Sequence, residues 1–396
     1  MTVRALLKKY IMALTLLLVS PLVGEEAESV VLEKDKLSLA GLEGIDRPLK
    51  FIFSNERLDV GISYSALFQA AIGHGETAGS GELRIGGRLI FVDEKYPSRL
   101  LESLGVENDG LFSLKFAVRH RHALLDLSAA ELSPTVGSFL GSTDGFSDRG
   151  FEIPELYLQQ VFSDGRIELR YGQLSVEDRL DGHAMRSAQK AFLNRVFSTN
   201  PTVAFPRFGA GSTIRWQVND KLDVTYALTQ VQASKTGAQV DFELSSGQLF
   251  TGLQTGYTWD GQNEIDYRLQ FLGWAADGTD EATEDFGFSF GYEMHSEENS
   301  KSLFSRFSYS TGQQTDLDRM ATIGVGENRR ENDLLGIAVG AGRSSLSPDY
   351  QGVIEVFYRY QTNFGLQLTP DIQLHVGDGV RKGFALIPGL RGRMDF

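Results

Sequence analysis

From Gly383 to Phe396 the chain alternates between two kinds of residue. Phe384, Leu386, Pro388, Leu390, Gly392, Met394 and Phe396 form one stripe, and Ala385, Ile387, Gly389, Arg391, Arg393 and Asp395 form the other. A period of two is strand geometry, because successive side chains leave opposite faces of a strand. One face of this segment suits hydrocarbon, and the other carries charges that need water. The alternation recurs upstream. Phe364, Leu366, Leu368, Pro370, Ile372 and Leu374 share one parity, as do Ile354, Val356, Tyr358 and Tyr360. Further stripes are Phe286 to Tyr292, Ile265 to Phe271, Leu222 to Leu228, Phe112 to Val118, and the set Leu83, Ile85, Leu89 and Phe91. Each is about as long as a tilted membrane strand, ~9 to 11 residues.

The pattern predicts strands beginning near residues 58, 80, 110, 153, 165, 208, 221, 249, 263, 284, 301, 333, 351, 364 and 383. A weaker segment, Met320 to Glu327 with Ile323 and Val325 on one face, supplies a sixteenth. An even count is what a bacterial barrel with both termini in the periplasm requires. Connection lengths agree. Gln361 to Phe364, Asn328 to Asn332, His295 to Lys301, Asp260 to Asn263, Val218 to Lys221 and Ser163 to Gly165 are short and turn-like. The connections at Gly73–Ser80, His122–Glu152, Ser175–Arg207, Gln232–Gln248, Ala275–Glu284 and Thr311–Arg319 are longer. Short periplasmic turns and long outer loops mark a membrane barrel. Asp93 to Asp109 breaks the rule, being long yet falling on the periplasmic side. The expected fold is all-β, a transmembrane antiparallel β-barrel of 16 strands with an inward-folded constriction loop.

The N-terminus carries Arg4, Lys8 and Lys9, then the apolar run Ile11 to Val19, then Ser20, Pro21 and Gly24 before Glu25 and Glu26. This has the form of a secretory signal peptide, too short in its apolar run to span a bilayer as a helix. The domain reading is a signal peptide at 1–24, an N-terminal arm at 25–56 and a barrel at 57–396. Cleavage near Gly24 would move the formal charge from −14 to −17. The acidic balance argues against nucleic acid as a partner. An exported chain without cysteine has no disulfide framework. The 43 glycines and 26 phenylalanines suit a strand-rich chain with many turns and aromatic anchors.

If the apolar parity of each strand faces lipid, the other parity names the pore wall. It places Arg84, Arg88, Lys115, Arg119, Arg166, Glu168, Arg170 and Arg215 inside, and Arg391 and Arg393 close the ring beside them. Later strands add Arg268 and Arg306 among Glu264, Asp266, Glu293 and Glu355. The first third of the wall is basic. Two readings of that wall stand side by side. Carboxylates on an inward loop can balance it and set up a transverse field, or its planar guanidinium groups can hydrogen-bond and stack on a permeating solute. Ser175–Arg207 is the longest outer loop and the candidate constriction, with Glu177, Asp178, Arg179, Asp181, Arg186, Lys190 and Arg195. Tyr157, Trp274 and Phe357 are candidate lumen aromatics. Removing Arg119 or Arg170 is expected to weaken solute block and anion preference more than removing Arg306.

Within that loop Phe192-Leu193-Asn194, Phe197-Ser198, Asn200-Pro201-Thr202 and Phe205-Pro206 resemble the FLN..FS.NPT..FP signature of the carbohydrate-selective porin family, called OprB-type. Leu156 to Gln160, Asp164 to Arg166, Gly172 to Leu174, Phe357 to Tyr360, Leu368 to Asp371 and Gly389 to Arg391 are similar as well. The resemblance covers roughly Arg57 to Phe396. It implies an outer-membrane porin passing small carbohydrates by diffusion through an arginine-lined constriction. It also implies Phe396 as an assembly signal read by the barrel-assembly machinery. The implied partners are outer-membrane lipid and small sugars, with the barrel a monomer or a homotrimer. No cofactor is implied.

Other readings remain. A basic wall can select phosphate or organic anions, and a plugged barrel would serve as an adhesin. A barrel enzyme is disfavoured. The six histidines, at 74, 120, 122, 183, 295 and 375, show neither metal-ligand spacing nor a serine partner in the pattern.

Overall fold

A computed structural model describes residues 51–54, 57–92, 111–162, 165–232, 237–240, 247–261, 265–296, 300–330 and 333–396. The connection at 93–109, the segment 1–50 and several turn tips lie outside the described residues. Sixteen antiparallel strands close on themselves: β2 (Leu58–Ala71), β3 (Glu76–Val92), β4 (Leu111–Ala123), β5 (Gly150–Phe162), β6 (Ile167–Leu174), β7 (Gly209–Gln217), β8 (Leu222–Gln230), β9 (Leu249–Asp260), β10 (Ile265–Ala276), β11 (Asp285–Ser296), β12 (Lys301–Ser310), β13 (Leu317–Asn328), β14 (Leu334–Ser344), β15 (Tyr350–Gln361), β16 (Leu366–Gly377) and β17 (Phe384–Asp395). Each pairs with its sequence neighbours, and β17 pairs with β2 to close the barrel. Closure matters physically, because in lipid an open edge would leave a row of unpaired backbone groups.

A further short strand, β1 (Phe51–Ser54), pairs with β2 at Asp59 to Gly61. The register of β17 on β2 runs from Gly389↔Gln69 to Asp395↔Ser63, and Phe396 N–H donates to Ile62 O at 2.9 Å. So β1 takes up the edge of β2 just where the C-terminal strand runs out.

The parity read from sequence holds strand by strand. In β8, Asp223, Thr225, Ala227 and Thr229 are buried inside, while Leu222, Val224, Tyr226 and Leu228 point outward. Phe68, Phe271, Phe290, Phe307, Ile323, Val339, Ile354, Ile372 and Leu390 give the outer wall a continuous apolar surface. Two boundaries differ from expectation. Ala71↔Glu76 pairing extends β2 and β3 outward, so the connection placed at Gly73–Ser80 is a short turn. Arg166 lies exposed in the turn before β6 rather than on the strand. The signal in β3 is weak because Gly79 and Gly81 replace the outward apolar residues, and Phe68 and Tyr64 cover them instead.

The apolar core is where loops meet the inner wall. One cluster joins Leu140, Met185, Phe192, Val196 and Phe197 of two loops to Phe304, Leu317, Met320, Ala338, Val353 and Phe357 of the strands. Another joins Val176, Leu180 and Val203 to Ala227, Phe250, Leu272 and Trp274. Inward aromatic residues are costly in a water-filled lumen, and here they are covered by protein.

Candidate functional site

Two long loops, 124–149 and 175–208, fold into the barrel. The first carries α1 (Ala129–Thr135), begun by Ser128, whose N–H donates to the Glu131 carboxylate at 2.8 Å. Leu132 and Val136 pack on Ala71, Ala78, Ala385 and Ile387. Past the helix, Ser138 Oγ meets His375 Nδ1 at 2.8 Å and Phe139 N–H donates to Gln351 Oε1 at 2.9 Å.

The second loop leaves β6 and crosses to the far wall. Gln254 Oε1 accepts from Asp181 N–H at 2.6 Å, Glu293 Oε2 accepts from Ala184 N–H at 2.8 Å, and Gln270 Nε2 donates to Gly182 O at 2.8 Å. Beyond them Glu355 accepts from Leu193 N–H and Asn194 N–H at 2.6 and 2.8 Å. Asn194 starts α2 (Arg195–Ser198) by accepting from Val196 N–H at 3.1 Å. Its amide also donates to Gly141 O at 2.5 Å and to Gln373 Oε1 at 3.0 Å, tying the two loops together. Arg391 Nη1 donates to the carbonyls of Ala188 and Ala191 at 2.5 and 2.9 Å, and Arg359 donates to Lys190 O at 2.9 Å. Inward carboxylates and guanidiniums of the later strands thus serve as fasteners for loop backbone.

What the loops leave open is a cavity of about 610 Å³ against β3, β4 and β5. Its wall side presents Arg84, Arg88, Lys115, Arg119, Arg121 and, from β17, Arg393. Its loop side presents Asp144, Arg149, Glu177, Asp178, Arg186, Lys190, Arg195 and Arg207, and Glu82 and Glu155 complete the acidic set. Several cations have carboxylate partners: Arg84 with Glu82 at 3.2 Å, Arg88 with Asp59 at 3.0 Å, and Arg186 with Glu177 at 2.8 Å. Eleven basic and five acidic side chains line the same space, so the passage is a basic wall facing a mixed loop.

The residues singled out from sequence divide by where the loop runs. Arg84, Arg88, Lys115, Arg119 and Arg393, with Glu177, Asp178, Arg186, Lys190 and Arg195, line the cavity. Arg170 is buried, donates to Tyr157 Oη at 2.7 Å and pairs with Glu168, which also lies 3.5 Å from Arg179. Arg215 stands opposite Glu168 in register. Asp181 is buried against Arg306 at 2.9 Å. Arg391 is 1 % exposed beneath the loop. Tyr157, Trp274 and Phe357 are not lumen platforms, because all three are buried, Trp274 and Phe357 against loop residues and Tyr157 beside Arg170. Sequence reading did not single out Arg121, Asp144, Arg149 and Arg207. Arg121 has the parity of Arg119 and was within reach of the pattern, whereas the other three sit on loops where no period applies.

Asp178 has an unusual titration. Burial, together with Glu155 and Glu177 beside it, pushes its carboxyl up to about 7, while Arg186 and Arg84 partly oppose the shift. The group is neutral below that value and negative above it. Anion preference of the passage is therefore expected to rise as pH falls from about 8.5 to about 5.5, one carboxylate of the loop being discharged. Reversal potentials across a salt gradient measure this, and Asp178→Asn should flatten the change.

The family model described as carbohydrate-selective porin, OprB family, matches residues 101–396. No curated protein sequence matches the chain. Among solved structures, the high-pH structure of Pseudomonas putida OprB superposes with a TM-score of 0.69 at 14% identity, covering 86% of this chain and 94% of that one. The low-pH structure of the same protein gives 0.54 at 14% identity, covering 86% and 93%. A mutant of Rh. blastica porin gives 0.50 at 10% identity, covering 86% and 100%. At such identities these likenesses speak for the barrel fold alone.

Proposed function

The chain belongs to the carbohydrate-selective porin family, OprB, and on that premise we propose that it is a passive outer-membrane channel for small carbohydrates, selective through an arginine-rich constriction. Family and barrel fold together point to the bacterial outer membrane. In this reading residues 1–24 are the cleaved signal peptide, and residues 25–56 are an N-terminal arm. The barrel-assembly machinery reads the C-terminal strand.

The observation that carries the proposal is the path of the loop 175–208. It packs against the inner wall of the later strands and leaves, beside β3, β4 and β5, a cavity lined by eleven basic and five acidic side chains together with apolar ones such as Phe116, Phe205 and Phe208. A permeant must shed part of its hydration there and regain it from the wall. Guanidinium donors and carboxylate acceptors on facing sides suit a polyol, whose hydroxyls both donate and accept. Binding must stay weak enough for release, about millimolar or ~4 kcal/mol. Arg84, Arg88, Lys115, Arg119 and Arg393 are the wall contacts in this proposal, and Glu177, Asp178, Arg186, Lys190 and Arg195 the loop contacts. The excess of cations over carboxylates favours, as the second reading, a channel for small anions.

Swelling of liposomes containing the purified protein tests this directly. Monosaccharides should enter clearly faster than disaccharides, and faster than uncharged amides of similar size. Equal rates for all solutes of one size would reduce the channel to a sieve.

A further inference from the structure

Around one buried carboxylate the cavity gathers a cluster of guanidinium groups. Glu152 is fully buried; its Oε2 accepts from Arg119 Nε at 2.9 Å and from Arg121 Nη2 at 2.5 Å, and its Oε1 accepts from Arg207 Nη2 at 2.9 Å. Arg119 in turn lies over the Phe208 ring, 4.8 Å from its centre. Arg149 also lines the cavity, and it is held below its ordinary basicity by burial and by the charge of Arg207. Three guanidiniums thus bond one carboxylate, Arg149 lines the cavity with them, and all four face the passage. Like charges this close repel over distances well inside the ~8 Å screening length. A second anion at the cavity surface would relieve that repulsion.

The same cavity also presents Asp144, Glu155, Glu177 and Asp178, which accept hydrogen bonds and repel anions. We infer that the preferred permeant is an acidic monosaccharide, a uronate or aldonate, with its carboxylate on the Arg119, Arg121, Arg149 and Arg207 cluster and its hydroxyls toward the loop carboxylates. A simple anion satisfies only the first half of that surface. A neutral sugar satisfies only the second and brings no charge to the cationic cluster. A carboxylate matches the planar donors of arginine, often through two parallel bonds. The 610 Å³ available falls within the range of small-molecule sites, roughly 300–1,000 Å³. This inference rests on the carbohydrate-channel reading and sharpens its substrate class.

The test uses the purified full-length protein in planar bilayers, with glucose, sodium glucuronate and sodium acetate as probes of the potassium chloride current. Glucuronate should half-block the current at a concentration roughly tenfold or more below that of glucose, the scale of one charge-assisted hydrogen bond. Acetate should carry current without blocking. Arg149→Gln and Arg207→Gln should each shift the ratio of the two half-blocking concentrations toward glucose. Should either variant fail to assemble, the wild-type channel still decides. Raising salt from about 0.1 M to about 1 M, which shortens screening from ~10 Å to ~3 Å, should weaken the glucuronate block several-fold and spare the glucose block. Glucose blocking as well as glucuronate would overturn the inference and leave the carbohydrate channel standing. Acetate blocking as strongly as glucuronate would overturn it in favour of a site for any anion. No block and no swelling with either sugar would remove the carbohydrate reading itself.

Discussion

Arg306→Ala is expected to open the channel, raising its single-channel conductance several-fold and abolishing discrimination among small solutes. Arg306 is buried at mid-height on β12, and its guanidinium reaches three parts of the loop at once. Nη1 donates to the Asp181 carboxylate at 2.9 Å, and Nη2 donates to Val196 O at 2.8 Å and to Thr199 O. Asp181 sits in a left-handed conformation at φ 56°, so the backbone turn there is sustained by its bonds rather than by its own preference. Truncating Arg306 leaves a buried carboxylate held by Asn200 Nδ2 at 2.6 Å and takes the donor away from the Val196 and Thr199 carbonyls. Breaking one partner out of a buried ion pair costs about 3–5 kcal/mol. The loop has an alternative that a protein core lacks, since it can swing into the water of the outer vestibule and hydrate those groups. The penalty is thus relieved by movement of the loop, and the barrel stays closed because the backbone of residue 306, paired with Gly291 and Thr322, is unchanged by alanine. Conductance traces and sugar swelling rates measure the opening, while the heat-induced gel shift of the folded barrel should change little. A variant with wild-type conductance would show that Arg306 does not hold the loop.

That expectation reverses the ranking drawn from the sequence, where Arg306 seemed less consequential than Arg119 or Arg170. The reason lies in what strand periodicity reports. Alternation separates lipid from lumen because the two faces of each strand meet different solvents, and it did so correctly from β2 to β17. Strand number, pairing order and the inward parity of Arg84, Arg119, Arg170, Arg306 and Arg391 were all legible on that basis. Period two does not distinguish a lumen filled with water from one filled with a loop. Arg119 and Arg391 have the same parity, yet one lines the passage and the other, 1 % exposed, donates to the carbonyls of Ala188 and Ala191. The distinction depends on where residues 175–208 travel, a long-range outcome set by contacts with β10, β11, β12, β15 and β17. The loop signature Phe192 to Pro206 was the one local clue. Its apolar members have no place on a mobile surface loop, and Phe304 and Phe357, inward aromatics in an otherwise polar lumen, were their counterparts on the wall.

Phe192→Ala should therefore loosen the same loop by a different route and with a different electrical signature. The Phe192 ring is fully buried and meets Phe357 edge-on at 4.9 Å, Phe197 at 5.4 Å and Phe304 at 5.7 Å between ring centres. Removing it from a closely packed site costs about 3–5 kcal/mol through lost transfer energy and the cavity left behind. The polar fasteners on either side remain intact: Glu355 still accepts from Leu193 and Asn194 N–H, and Arg306 still holds Asp181. A loop so tethered exchanges between seated and lifted positions without leaving the wall altogether. The expected record is flicker between the native conductance and a larger one, in contrast to the steady larger conductance of Arg306→Ala. Phe192→Leu, which keeps most of the apolar volume, should restore a quiet channel. The double variant Phe192→Ala with Arg306→Ala should look like Arg306→Ala alone, because once the loop has left its seat the missing ring has nothing further to release. Additive effects of the two changes would mean that packing and ion pairing secure separate segments, and that the loop does not move as one body.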